Sequence, residues 1–169
     1  MNDWDGFYAL IGGTAGTLIG LIFVVMTLGM EHAREGDTDR TRLFVTPILV
    51  YFASLLIISL AMIPPLSEMI RALALGVIGC AGLGYTINIA FMLRRIARPE
   101  EVEPIWDMGL PILAYSLLVF SAVACAFKAP FADLCGAAAV VILLIAALRK
   151  SWVATLFIAN RRRKDASDR

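Results

Sequence analysis

Four long stretches of the chain carry no charged residue: 7–30, 43–67, 72–93 and 108–127. A charged side chain at the bilayer centre costs at least about 2.5 kcal/mol, and a helix needs about 20 mostly apolar residues to cross the hydrocarbon core. Each stretch is therefore long enough for a transmembrane helix. A fifth stretch, 134–148, is shorter, but Asp133 before it and Arg149 and Lys150 after it can reach the headgroups.

Composition supports a membrane protein. The chain is 60% hydrophobic and 17% charged, whereas soluble domains are about 25% charged and 45 to 50% apolar. With 169 residues it forms one compact unit. We therefore predict an all-α integral membrane bundle of five transmembrane helices in a single domain. The predicted spans are about 7–30, 44–64, 70–93, 108–128 and 131–149, followed by a cytoplasmic C-terminal segment, 150–169.

The basic residues predict the orientation. Of the 15 Lys and Arg residues, all except Arg71 and Lys128 follow the first, third or fifth span. Cytoplasmic loops carry the excess of basic residues in membrane proteins. An odd number of spans places the termini on opposite sides, so we predict an external N-terminus and a cytoplasmic C-terminus.

Small residues recur every four positions in the first and third spans. The first span contains GGTAGTLIG at 12–20, and in the third span Ala72, Gly76, Cys80, Gly84 and Asn88 follow the same step. Small residues allow helix backbones to approach closely in lipid, where association depends on packing. The predicted helix-packing residues are Gly12, Gly16, Gly20, Gly76, Cys80 and Gly84.

Two arrangements would use these small-residue faces. The first and third spans run in the same direction under the predicted topology, so they could pack as parallel neighbours within one chain. Each face could instead meet its own copy in a cyclic oligomer, where symmetry makes equivalent helices parallel. The sequence leaves both arrangements open.

Polar residues within the spans are few. Hydroxyl groups commonly bond a carbonyl of their own helix, but the amide of Asn88 would cost several kcal/mol if it were left unsatisfied in lipid. Asn88 shares a helix face with Tyr85. We expect an interhelical hydrogen bond there, with a solute contact as the alternative. Thr14 and Thr17 are further candidates for a polar contact or a pore lining.

No catalytic or metal-binding pattern is present. The central parts of the spans lack charged residues and histidine, which argues against proton relays. The single histidine, His32, lies between Glu31 and Glu35, and one imidazole among solvated charges does not predict a metal site. The three cysteines are in separate spans, and the sequence has no nucleotide-binding loop, GxSxG or HExxH motif. We predict no enzymatic activity, cofactor or metal.

The C-terminal sequence SWVATLFIANRRRK allows two structures. It could continue the fifth helix into the cytoplasm, or it could lie along the inner membrane surface. Basic residues near anionic lipid gain about 1 kcal/mol each. The predicted lipid-headgroup contacts are Arg161, Arg162, Arg163 and Lys164.

The first helix, GTAGTLIGLIFVVMTL, resembles the opening helix of a widespread set of small bacterial multi-pass membrane proteins of unassigned function. That set shows TA, GL and FV followed by Ser or Thr and Leu. FVTPILVYF, at 44–52, is similar to a TP-containing second-helix motif, and WDMGLPILAY and RKSW are similar to later positions. The resemblance implies a bacterial inner-membrane location and no particular activity. The matching residues are Thr14, Ala15, Gly20, Leu21, Phe23, Val24, Thr27 and Leu28.

Two functions are compatible with these features. The first is a non-enzymatic scaffold or accessory subunit that acts through glycine-mediated helix packing. The second is a small homo-oligomeric channel for ions or small solutes, with Thr14 and Thr17 or glycine carbonyls lining the pore. The expected partners are the lipid bilayer and either further copies of the chain or another membrane protein, and no nucleic acid.

Overall fold

The structure, a computed structural model, describes residues 4–30, 38–96 and 108–167, and it describes side-chain surroundings for 4–27, 46–92 and 108–155. These residues form five α-helices and no β-strand. The all-α prediction is therefore confirmed, with one helix at each predicted span. The helices are α1 (Asp5–Met30), α2 (Thr38–Met62), α3 (Glu68–Ile96), α4 (Leu110–Ala126) and α5 (Ala132–Ser167).

Three helices contain segments that are long and apolar enough to cross a membrane: Asp5–Thr27, Glu68–Met92 and Ala132–Thr155. The other two contribute shorter apolar segments, Thr46–Met62 and Leu110–Ala126. Large apolar side chains such as Leu10 and Leu73 also point outwards, each about two-thirds exposed. An outer surface of this kind is suited to lipid and is unusual for a protein that faces water on every side.

Proline and a left-handed residue mark the short connections between helices. α2 ends at Met62, just before Pro64 and Pro65, because proline lacks the N–H group that would continue the helix. α4 and α5 are joined by a short turn in which Lys128 has a φ of 55°. Connections as short as these two make the helices that they join antiparallel neighbours.

Helices α2 to α5 form a closed ring. α2 contacts α3 and α5, and α4 contacts the same two helices from the opposite side. α1 lies outside this ring and packs along α2, and the hydroxyl of Tyr8 reaches the backbone of α5 at Gly136. Within the described parts of the chain α1 and α3 do not touch. The expectation that they pack as parallel neighbours is wrong, because α2 is the helix against which α1 packs.

The two ends of the bundle can be identified from cross-helix contacts. Gly76 faces Ala122, while Gly82 faces Tyr115, so α3 and α4 are antiparallel. Arg71 near the start of α3 pairs with Asp133 near the start of α5. The end where α1, α3 and α5 begin is called the Arg71 end below. The core between the helices is closed by fully buried side chains, among them Tyr51, Phe52, Leu55, Ile58 and Leu118.

The extent of α5 shows which of the two predicted C-terminal structures is present. Its 36 residues are continuous to Ser167, so the backbone of 150–160 belongs to this helix. At 1.5 Å per residue the helix is about 54 Å long, whereas the hydrocarbon core of a bilayer is about 30 Å thick. Its C-terminal part must therefore project beyond any membrane that its apolar segment crosses.

Candidate functional site

The glycines of α1 are divided between two faces. Gly12 is buried, and a Cβ atom there would lie 2.9 Å from the Cβ of Ser59 on α2. Gly16 and Gly20 are exposed, and a Cβ atom at either would meet nothing within 4 Å. A step of four residues advances the helix by about 40° beyond a full turn. The row from Gly12 to Gly20 therefore rotates away from α2.

A second row of small residues lies along the exposed side of α1, with alternating steps of three and four. This spacing keeps side chains on one stripe of a helix. Nothing in the described chain covers the row, and it is called the outward α1 face below. Its members are Gly6, Ala9, Gly13, Gly16 and Gly20, all exposed. The sequence prediction considers only steps of four and therefore misses Gly6 and Ala9. The alternating spacing of three and four is nevertheless visible in the sequence.

The two threonines considered for a pore satisfy their hydroxyl groups within α1. Thr14 donates to the carbonyl of Leu10 at 2.8 Å, and Thr17 donates to the carbonyl of Gly13 at 2.9 Å. Thr17 is exposed next to the outward α1 face, and Thr14 is half-buried. These hydroxyl groups therefore need no partner outside their own helix.

The glycines that hold α3 against α4 are three residues apart. A Cβ atom at Gly79 would lie 2.8 Å from Cγ2 of Val119, and one at Gly82 would overlap the ring of Tyr115. Gly76 is an ordinary neighbour of Ala122, with its Cβ position at 3.7 Å. These glycines allow the close contact between α3 and α4.

The predicted four-residue row on α3 crosses from the inner face to the outer one. Ala72 is buried, whereas Cys80, Gly84 and Asn88 are exposed. The drift of about 40° per step explains this change, since four steps turn the row by about 160°. A stripe on the exposed side of the helix is called the outward α3 face below; it contains Val77, Cys80, Gly84, Asn88 and Phe91.

Asn88 and Tyr85 have different surroundings. Tyr85 is half-buried, while Asn88 is exposed on the outward α3 face. Among the described residues no side chain or carbonyl forms a hydrogen bond with the amide of Asn88. The structure therefore does not supply, within the described chain, the interhelical bond that we expected for this amide.

A polar cluster lies inside the ring of helices. The hydroxyl of Ser54 donates to the carbonyl of Val50, so the hydroxyl of Tyr115 can donate to Ser54 at 2.9 Å. The ring of Tyr51 lies beside that of Tyr115, with centroids 6.2 Å apart. Lys150 lies over the ring of Tyr51, with its Nζ 5.5 Å from the ring centroid.

Lys150 lies deeper in the bundle than the sequence indicates. Tyr51 is nine residues after Arg42, the last charged residue before the apolar run of α2, which corresponds to about 13 Å along the helix. The sequence prediction places Lys150 at the end of the fifth span, because it is based on that span alone. Contact with α2 shows the ammonium group beside an apolar segment, where a charge is unusual and often functional.

The Arg71 end carries two ion pairs. Nη2 of Arg71 lies 3.2 Å from Oδ1 of Asp133, and the Arg71 side chain is only 15% exposed. Nζ of Lys128 lies 3.5 Å from Oε2 of Glu68, and both of these side chains are largely exposed. Both basic residues that the sequence assigns to the outer side are therefore neutralised by a carboxylate.

Three buried polar atoms near the Arg71 end lack hydrogen-bond partners within the described chain. They are the hydroxyl of Tyr8, the hydroxyl of Ser59 and Nε of Arg71. The hydroxyl of Tyr8 lies 3.4 Å from the Cβ position of Gly136 on α5. The three atoms lie on three different helices, α1, α2 and α3.

Several predicted features fall outside the side chains that the structure describes. Arg161, Arg162, Arg163 and Lys164 lie on the helical backbone of α5, but their side chains are not among those described, and His32 lies between α1 and α2 outside the described residues. Within the described part, no cluster of three or more His, Cys, Asp or Glu could hold a metal ion. The cysteines Cys80, Cys125 and Cys135 are not joined by disulfides.

No protein family, curated protein or solved structure matches the chain.

Proposed function

We propose that the chain is a non-enzymatic membrane scaffold or accessory subunit, and that its outward α1 face binds a transmembrane helix of another membrane protein. One observation carries this proposal. Gly16 and Gly20 are exposed, and nothing in the described part of the chain lies within 4 Å of their Cβ positions. Glycine costs about 1 kcal/mol relative to alanine inside a helix, and in lipid its benefit is the close approach of another backbone.

The packing of α1 makes this face available. Only 17% of its apolar segment is buried inside the structure, compared with 44% for the segment of α5. The hydroxyl of Thr17 already donates to the carbonyl of Gly13, so it needs no partner outside α1. The face therefore offers a shallow apolar groove along the glycines. The partner that fits is an apolar helix whose side chains enter the groove above the glycines.

The location belongs to the same proposal. Five crossings, an external N-terminus and a cytoplasmic C-terminus follow from the distribution of basic residues. The two ion pairs at the Arg71 end support it, since neutralised basic residues are easier to place on the outer side. The resemblance of the first helix favours the bacterial inner membrane.

Photo-crosslinking in native membranes tests the proposal. A photoreactive residue at Thr17, at the edge of the outward α1 face, should form an adduct with another membrane protein. Gly20→Leu should abolish the adduct, because it fills the groove. Val25→Leu is the matched control: Val25 is exposed on the same helix but lies off the glycine row, so the adduct should remain.

The other outcomes have definite meanings. An adduct with a second copy of the chain would overturn the scaffold proposal and would favour the channel that the sequence allows, which ion flux in liposomes would then test. Adducts with lipid alone would also overturn it. A partner adduct that survives Gly20→Leu would show that the glycine row is not the contact.

A further inference from the structure

The amide of Asn88 is placed on the side of α3 that faces away from the other described helices. Asn88 is exposed and lies four residues before the end of the apolar segment Glu68–Met92. The opposite side of α3 holds α4 through Gly79 and Gly82. If α3 crosses the membrane, the described part of the chain therefore leaves the amide facing outwards, where lipid or a second protein chain would meet it.

Three exposed threonines on outer surfaces of the bundle do not share this problem. Thr17, Thr27 and Thr155 are exposed and each donates to a carbonyl of its own helix. Asn88 makes no such bond within the described residues. An amide carries two donor hydrogens and a carbonyl acceptor, and leaving them unsatisfied in an apolar medium is costly. The amide thus indicates a polar partner at its own depth.

The surroundings of Asn88 suit the close approach of a second helix. Gly84 is one turn away, and a Cβ atom there would meet nothing within 4 Å. Cys80 is one turn further and is also exposed. Rows of small residues at steps of four allow helices to cross with a right-handed angle of about 40°. A crossing centred on Gly84 brings Cys80 and Asn88 into contact with the partner.

We propose that two copies of the chain associate through their outward α3 faces, and that the two Asn88 amides form hydrogen bonds with each other. An amide is its own complement, because it donates and accepts. A two-fold axis along the membrane normal places equivalent residues at equal depth. A second copy therefore supplies the required polar group at the required position, whereas a different protein would need an independent one.

Oxidative crosslinking of Cys80 in native membranes tests this interface. Cys125 and Cys135 are replaced by alanine, so that Cys80 is the sole thiol. We expect a covalent dimer of the 18.4 kDa chain. Asn88→Leu should weaken dimerisation about tenfold, the order expected for interhelical amide bonds in membranes. Asn88→Gln keeps the amide and should retain most of the dimer.

Two controls make the result specific. Ile87→Leu changes an exposed residue next to Asn88 and should leave the dimer intact. A thiol at Leu134, exposed on α5, should give no covalent dimer in a chain without native cysteines. Asn88→Leu should keep the thermal stability of the monomer in detergent, because it removes a polar group from an outer surface.

Three results would overturn the proposal: no covalent dimer through Cys80, a dimer that Asn88→Leu does not weaken, or a Cys80 product with a different protein only. The test is separate from that of the outward α1 face. Gly20→Leu should leave the Cys80 dimer unchanged, and Asn88→Leu should leave the Thr17 adduct unchanged. Failure of one interface therefore does not imply failure of the other.

Discussion

At the scale of single residues, a missing Cβ atom determines how closely α3 and α4 approach. Gly82 lies against the ring of Tyr115, which is fully buried and bonded to Ser54. The ring cannot move aside without losing that hydrogen bond and its core contacts. Gly84, on the same helix, has open space at its Cβ position. The same residue type therefore has a packing role at one position and none within the chain at the other.

This contrast predicts different effects of the same substitution. Gly82→Ala should lower the free energy of unfolding by about 1 to 3 kcal/mol, because overpacking forces side chains from their preferred positions. Gly84→Ala should leave it unchanged or raise it by up to about 1 kcal/mol through helix propensity. Denaturant unfolding of the dilute monomer in detergent measures both. Equal effects of the two substitutions would contradict the contact between Gly82 and Tyr115.

The two ion pairs at the Arg71 end differ in how deeply their basic residues are buried. Asp133→Asn should destabilise the protein by about 1 to 3 kcal/mol, since it leaves the largely buried guanidinium of Arg71 uncompensated; this lies between the effects for exposed and fully buried pairs. Glu68→Gln is the matched control, because its partner Lys128 is 78% exposed, and its effect should be below about 1 kcal/mol. Thermal unfolding in detergent compares the two variants. A larger loss for Glu68→Gln would contradict the different burial of the two pairs.

At the scale of helices, the sequence predicts their existence better than their orientation about the axis. Each span could be found from its own uncharged run, so all five helices were predicted. The buried face could not be found in the same way, because glycines at steps of four rotate steadily around the helix. Gly12 is therefore buried while Gly20 is exposed. Asn88 was recognised from its chemistry, but only the position of α4 on the other side of α3 shows that it faces outwards.

The orientation of α1 can be tested with two leucine substitutions. Gly12→Leu should lower the free energy of unfolding by about 1 to 3 kcal/mol, because even a Cβ atom there meets Ser59 at 2.9 Å. Gly16→Leu should leave it unchanged, since its position faces open space. Chemical unfolding in detergent gives both values. A larger loss for Gly16→Leu would show that the outward α1 face is packed within the monomer.

At the scale of the whole molecule, α2 to α5 form a ring and α1 is attached to it through α2. Hydrophobicity could not predict this arrangement, since lipid tails are as apolar as the helix surfaces and association depends on detailed packing. The same limit applies to the polar cluster at Tyr51 and Lys150, which forms only because α5 runs beside α2. The positive-inside rule, in contrast, uses only the basic residues of each loop. The topology could therefore be predicted without knowledge of the helix packing.

Two single-cysteine variants test that topology. Phe127 is 82% exposed in the turn after α4, and Ser167 ends α5. In a chain without native cysteines, a membrane-impermeant maleimide should label Phe127→Cys in intact spheroplasts and Ser167→Cys only after permeabilisation. The physical reason is that the segment after the apolar part of α5 is rich in Lys and Arg, and such segments remain in the cytoplasm. Labelling of both positions from the same side would show that α5 does not cross the membrane, and it would overturn the predicted topology of five crossings.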